Sequence, residues 1–234
     1  MWDTATGERL HTLRDMKDGM MAVQDLALDP KDSTDEEIVI VSASSDPHIR
    51  RWRIGLLSSS QIVDLAPESQ GKPQRQTILE HQTSVYRVMF WGDDGDADLW
   101  TASADGTAKC LSRAKDWSVE ETYEHKDYVR AIAVTGDWVV TAGRDEDVKV
   151  WDRSTGELRH VYDGHYEEVT GVVALPGERI VSVSIDGTVR IWEISTSALE
   201  KAIKEREGEI EVKQSILTAE EEAELAELMG SESE

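Results

Sequence analysis

The chain has 234 residues, enough for a sizeable core, with 39% hydrophobic residues and a formal net charge of −23. That acidity opposes a phosphate backbone, because nucleic-acid affinity rests on Lys and Arg displacing counterions; a protein partner, basic in character, is expected and no nucleic acid. One cysteine excludes an internal disulfide, and neither a signal peptide nor an apolar run of about 18 residues is found, so no membrane partner is expected and the protein is read as intracellular, cytoplasmic or nuclear.

The chain opens MWDTATGERLHTL, a Trp-Asp dipeptide, a polar turn, then alternating residues. VWDRSTGELRHVY, at 150–162, repeats that pattern behind a full strand. Trp2-Asp3 therefore reads as the end of a third strand, and TGERLHTL as an outer-strand remnant. Loss of preceding units is the favoured account, and closure of TGERLHTL onto the last unit is the other.

Four copies of one unit follow: EEIVIVSASSDPHIRRWRI, ADLWTASADGTAKCLSR, WVVTAGRDEDVKVWDRS and RIVSVSIDGTVRIWEIS. Each is an alternating strand, a tight turn with Asp46, Asp105, Asp145 or Asp186, and a second alternating strand. A hydroxyl stands four residues before each Asp, at Ser42, Thr101, Thr141 and Ser182. Trp52, Leu111, Trp151 and Trp192 stand six residues after. His81, His125 and His165 precede three further strands, VYRVMF, VRAIAV and VTGVVAL, with VQDLAL in the first copy. The units lie at about 20–54, 82–113, 126–154 and 166–195, within a repeat region 1–195. Trp151 to Trp192 is 41 residues, whereas Trp52 to Leu111 is 59; the excess is assigned to a polar surface-loop insertion, 55–74.

This pattern resembles the WD40 repeat family, which forms β-propellers. The resemblance implies an all-β fold of four blades plus the remnant, a partial propeller. In that family His, Ser/Thr, Asp and Trp form a hydrogen-bonded tetrad in each blade. His125, Thr141, Asp145 and Trp151 match it in full, as do His165, Ser182, Asp186 and Trp192. Leu111 replaces one Trp, and Gly19 stands where the first His belongs, so apolar packing is expected to hold those two blades more than the polar network. Trp91, Trp100, Trp117 and Trp138 are read as packing residues.

Family geometry turns the residues after each His and before each Asp toward one face. Tyr128, Arg144, Tyr166 and Glu168 are accordingly the candidate partner contacts. The expected function is a protein-interaction scaffold within a multiprotein complex. The alternatives are a substrate receptor of a ubiquitin ligase, for which Arg153 stands one place early, and an RNA-processing or ribosome-assembly scaffold. An incomplete propeller also exposes blade sides, so self-association is expected.

After Trp192 the composition changes to an acidic tail, 196–234, expected to be helical or disordered. Ser197 with Glu200 makes one capping box, Leu199 and Ile203 form an apolar pair, and Gly208 is the stop. Thr218 with Glu221 makes a second box, ahead of Leu225, Leu228 and Met229, which could dock in a partner's groove. IEVKQSI has an alternative as an added strand on the last blade. GDDGDAD at 92–98 lacks calcium-loop spacing, Cys110 has no ligand neighbours at metal spacing, and no catalytic motif is present. No enzyme, metal or cofactor is expected.

Overall fold

The computed structural model describes residues 1–14, 21–63, 77–93, 96–206 and 208. Gly19, Leu225, Leu228, Met229, the IEVKQSI segment and most of the 55–74 insertion lie outside these residues. The described residues form four antiparallel sheets, each a meander of consecutive strands. The first comprises β1 (Val23–Leu28), β2 (Glu37–Ser44), β3 (Asp46–Gly55) and β4 (Ser59–Gln61). The second comprises β5 (Val85–Trp91), β6 (Asp98–Ser103), β7 (Thr107–Ser112) and β8 (Ser118–Glu124). β9 (Val129–Val134), β10 (Trp138–Gly143), β11 (Val148–Asp152) and β12 (Leu158–Tyr162) make the third. The fourth has three strands, β13 (Val169–Leu175), β14 (Arg179–Ser184) and β15 (Val189–Glu193). β4 lies inside the stretch expected to be loop, because Ser59–Gln61 pairs with Ile54–Trp52 to complete the first sheet.

Alternation along each strand gives every sheet two apolar faces, and neighbouring sheets bury them against each other. Val41, Ala43 and Ile49 of the first sheet pack on Val88, Leu99 and Leu111 of the second. Trp100, Ala108 and Tyr123 meet Ile132, Val139 and Trp151, and Ala131, Val140 and Val148 meet Val172 and Ile180. Sheets therefore stack in chain order as blades of an arc, with β1, β5, β9 and β13 as inner strands. Leu111 stands where other blades have Trp, and Trp117 packs in the same cluster, with the Arg113 guanidinium 4.7 Å from its ring.

The N-terminal hairpin reproduces the β11–β12 connection. Asp3 Oδ1 accepts from the amides of Ala5 and Thr6 at 2.7 and 3.0 Å. Asp152 Oδ1 does the same with Ser154 and Thr155 at 2.9 and 3.1 Å. Both turns close through a left-handed glycine, Gly7 at φ 73° and Gly156 at φ 72°. Trp2 faces Arg9 as Trp151 faces Leu158.

A helix, α1, covers 196–206. Its N-cap is Ser195 rather than Ser197: Ser195 Oγ accepts from the Ala198 amide at 3.2 Å, and its carbonyl accepts from Leu199 at 2.9 Å. β15 ends two residues earlier, at Glu193, so the first free hydroxyl takes the cap. Position 208, expected as the stop, is still helical. Leu199 is buried among Trp138, Val172, Ile180 and Ile194, which seats the helix across the third and fourth blades. Leu199→Ala is expected to destabilise the fold by about 2–4 kcal/mol, read by urea unfolding, because it opens a cavity in that core.

Candidate interaction face

Three histidines sit at the mouths of the blades, and each is held by a hydroxyl from a strand and a carboxylate from the turn that follows it. In the third blade His125 Nδ1 lies 2.9 Å from Asp145, and His125 Nε2 lies 2.7 Å from Thr141 Oγ1. The Trp151 indole N–H donates to the same Oγ1 at 2.7 Å. The fourth blade repeats this with His165, Asp186, Ser182 and Trp192 at 3.0, 2.7 and 2.8 Å. One proton assignment completes every bond. The indole donates to the hydroxyl, the hydroxyl donates to Nε2, and Nδ1–H donates to the carboxylate.

The two irregular blades keep more of the polar network than their sequences suggest. His81 reaches Asp105 at 2.9 Å and Thr101 at 2.7 Å, so the second blade lacks only the indole. In the first, Trp52 donates to Ser42 at 2.8 Å, and the fully buried Arg50 pairs with Asp46 at 3.0 Å. An arginine four residues further along the same strand thus supplies the Asp with a donor, so polar bonds stand beside the apolar packing expected to hold these two blades.

Burial by itself would raise the Asp105, Asp145 and Asp186 carboxyls. For Asp105 and Asp145 the hydrogen bond from the histidine is the main opposing effect, and for Asp186 that from Thr188, helped by His165; all three are held below the usual carboxylate range. Lys149, 3.3 Å from Asp145, adds to this.

These clamped turns display the candidate contacts. Tyr128 is 40% exposed, with the Arg144 guanidinium 5.3 Å from its ring and the Tyr86 ring 6.4 Å away. Arg144 faces Asp127 at 3.8 Å. Glu168 is half-buried and pairs with Arg130 at 2.8 Å, and Arg130 lies 4.0 Å from the Tyr86 ring. Contacts from three blades therefore join Tyr86, Tyr128, Arg130, Arg144 and Glu168. Tyr166 stands apart, 75% exposed beside Arg190, whose guanidinium is 5.9 Å from its ring.

Tyr86 and Arg130 were not among the residues picked from sequence. Each follows the first Val of an inner strand, where the β5–β6 and β9–β10 registers skip a residue; Gln24 and Thr170 occupy the same place. The bulge re-aims that side chain toward the rim of the blade. The repeated Val-X step was the available signal. Arg87 and Arg130 also line a cavity of about 210 Å³ beside Thr170, Val173 and Val183.

Among the described residues Asp98, Cys110 and Glu120 bring possible metal-ligand atoms within 4.8 Å of one another. Asp98 already accepts from the Arg113 amide at 2.8 Å, and Glu120 pairs with Lys115 at 2.8 Å. Burial, reinforced by Asp98 and Glu120, pushes the Cys110 thiol up to about 12. The trio is thus engaged within its own blade. Arg153 is likewise committed, donating to the Gly136 carbonyl at 2.8 Å and lying 4.6 Å from the Trp91 ring.

A family model described as WD domain, G-beta repeat, matches residues 117–152 and 156–193. The chain carries WD40 repeats. An uncharacterised WD repeat-containing protein of Schizosaccharomyces pombe is 30% identical over 197 residues, 73% of this chain and 53% of that protein. Nuclear distribution protein PAC1 of Saccharomyces cerevisiae is 26% identical over 130 residues, 55% of this chain and 24% of that protein. The WD40 chain therefore spans about half the length of the first relative and a quarter of the second. Among solved structures, the computationally designed Ika4 protein is similar at TM-score 0.57 and 25% identity, over 81% of this chain and 100% of that one. U3-55K is similar at TM-score 0.56 and 25% identity, over 74% and 49%. Among the described residues no helix is long and apolar enough to cross a membrane.

Two measurements test this site. Asp145→Asn should cost about 1–3 kcal/mol at neutral pH, since it removes a charged acceptor from His125. Because the Asp145 carboxyl is held low in the fold, its contribution is complete above the ordinary carboxylate value near pH 4 and fades as pH falls. The gap between variant and parent in unfolding free energy should therefore close in acid. Cys110 should stay unlabelled by maleimide at pH 7 in the folded chain and react at once in denaturant.

Proposed function

We propose that this WD40 arc is a protein-interaction scaffold in a multiprotein complex, and that it takes a partner on the face carrying Tyr86, Tyr128, Arg144 and Tyr166. One observation supports this above the others: aromatic rings and guanidinium groups stand exposed on turns clamped by buried His–Asp–hydroxyl networks. Tyrosine and arginine offer large contact area at small entropic cost, and rigid turns lower the cost of binding further. WD40 propellers are generally scaffolds, and the buried histidines here are consumed by structural bonds, so no catalytic role is assigned. The net charge of −23 favours partners of basic character by long-range attraction, with the Tyr/Arg cluster giving local specificity. Self-association through the uncovered ends of the arc is a second part of this reading.

Affinity purification under crosslinking, comparing the parent with a Tyr128→Ala/Arg144→Ala variant, tests the face. The variant should lose its specific partners by about tenfold or more while its unfolding midpoint stays unchanged. Unchanged recovery of the same partners would place the contact elsewhere.

A further inference from the structure

The first blade reaches further at one end than the others do. Its β2–β3 ladder continues past Val39–Arg53 through Ile38–Ile54 and Glu37–Gly55. The other three ladders end at or before the matching pairs, Trp138–Asp152 and Arg179–Glu193 among them. The extra pairs carry this end of the blade about 7 Å beyond its neighbours, away from the histidine-clamped turns. The β3–β4 turn crowns the extension. It closes through the Gly55 amide, which donates to the Ser58 carbonyl at 2.9 Å. Leu56 and Leu57 form its tip, 81% and 93% exposed. Scattered single leucines are ordinary on a surface, and turn tips favour Gly, Asn, Asp or Pro. An adjacent leucine pair on a projecting tip is therefore an apolar anchor.

The β1–β2 connection stands beside this tip and is acidic. Glu37 lies opposite Gly55, and Asp32, Asp35, Glu36 and Glu37 are all exposed. The connection is braced from within. Asp29 Oδ1 accepts from the Lys31 and Asp32 amides at 3.0 and 3.2 Å, and Thr34 Oγ1 from the Glu36 and Glu37 amides at 3.3 and 3.1 Å. Arg113 of the second blade reaches Asp29 and Asp32 at 2.6 and 3.4 Å. Arg53 faces Glu37 at 3.8 Å, which leaves Asp35 and Glu36 without a basic partner among the described residues. Exposed Asp93 and Asp96, on the β5–β6 connection, add acid at the same end.

Charge decides what fits here. A second copy of a chain of net charge −23, its own acidic 196–234 segment and an anionic bilayer all share the sign of this surface and are repelled. A segment with apolar residues along one side and Lys or Arg beside them satisfies both parts. We propose that this end of the first blade is a second docking surface, which takes a basic amphipathic segment of a protein partner. Its apolar side chains rest on Leu56 and Leu57, and its cations meet Asp35 and Glu36. This surface lies at the opposite end of the strands from Tyr128 and Arg144 and does not depend on that reading.

Anisotropy titrations of the full chain with a labelled amphipathic helical peptide of Leu and Lys test this, with a peptide carrying Glu for Lys as control. Leu56→Ser/Leu57→Ser should weaken the Leu/Lys peptide by about tenfold or more. Asp35→Asn/Glu36→Gln should weaken it too and flatten its salt dependence, whereas Glu157→Gln/Glu200→Gln, which removes equal charge elsewhere, should hold it within about twofold. Equal affinity for the parent and the leucine variant overturns the proposal, since net charge alone then accounts for binding. Equally tight binding of the Glu peptide overturns it as well, as does a loss confined to Tyr128→Ala/Arg144→Ala. Without peptide binding, leucine-dependent sedimentation on phosphatidylcholine vesicles overturns it in favour of a bilayer. A leucine-dependent two-copy mass in light scattering, again without peptide binding, overturns it in favour of a second copy.

Discussion

Every blade of this protein has two apolar faces and can cover neither by itself. Ala131 and Ala133 point to one neighbour while Ile132 and Val134, on the same strand, point to the other. Burial is therefore a property of the contact between blades, and stability passes along the arc from neighbour to neighbour. The three apolar clusters between consecutive blades carry this, and α1 extends the last of them by inserting Leu199.

A second constraint follows from packing sheets face to face. Side chains at the blade mouths are buried, so any polar group there must find a partner. His, hydroxyl, Asp and Trp satisfy one another in the third and fourth blades, and the resulting bonds fix where each turn stands. Where a member is missing, a neighbour compensates. Arg50 serves Asp46 in the first blade, and Trp117 packs beside Leu111 in the second. The exposed tyrosines owe their fixed placement to this buried network, since the Tyr166 amide itself donates to Asp186 at 3.1 Å.

Much of the fold was legible because its unit recurs. Asp, hydroxyl and Trp at constant offsets located the strands of each blade, and the Asp3 and Asp152 turns proved to be one structure. Legibility failed where a local signal competed with the chain's path. Ser197 with Glu200 looked like a capping box, but the strand ended early enough for Ser195 to cap. Ser59–Gln61 is polar and reads as loop, yet backbone pairing with Trp52–Ile54 makes it a strand. At the candidate face, Tyr128 and Arg144 were readable from their offsets to His125 and Asp145. Tyr86 and Arg130 join them only through a bulge, which sequence alternation does not display.

By itself the sequence determined the repeat, the alternating faces, the tetrad members and the acidic surface, because these depend on residue type and spacing along the chain. Only the tertiary structure decided which of two chemically equivalent positions is buried. Val148 and Val189 occupy the same register, one covered by a neighbouring blade and the other bare. The residues are alike; burial is set by whether another blade stands beside them, and that depends on the whole arc.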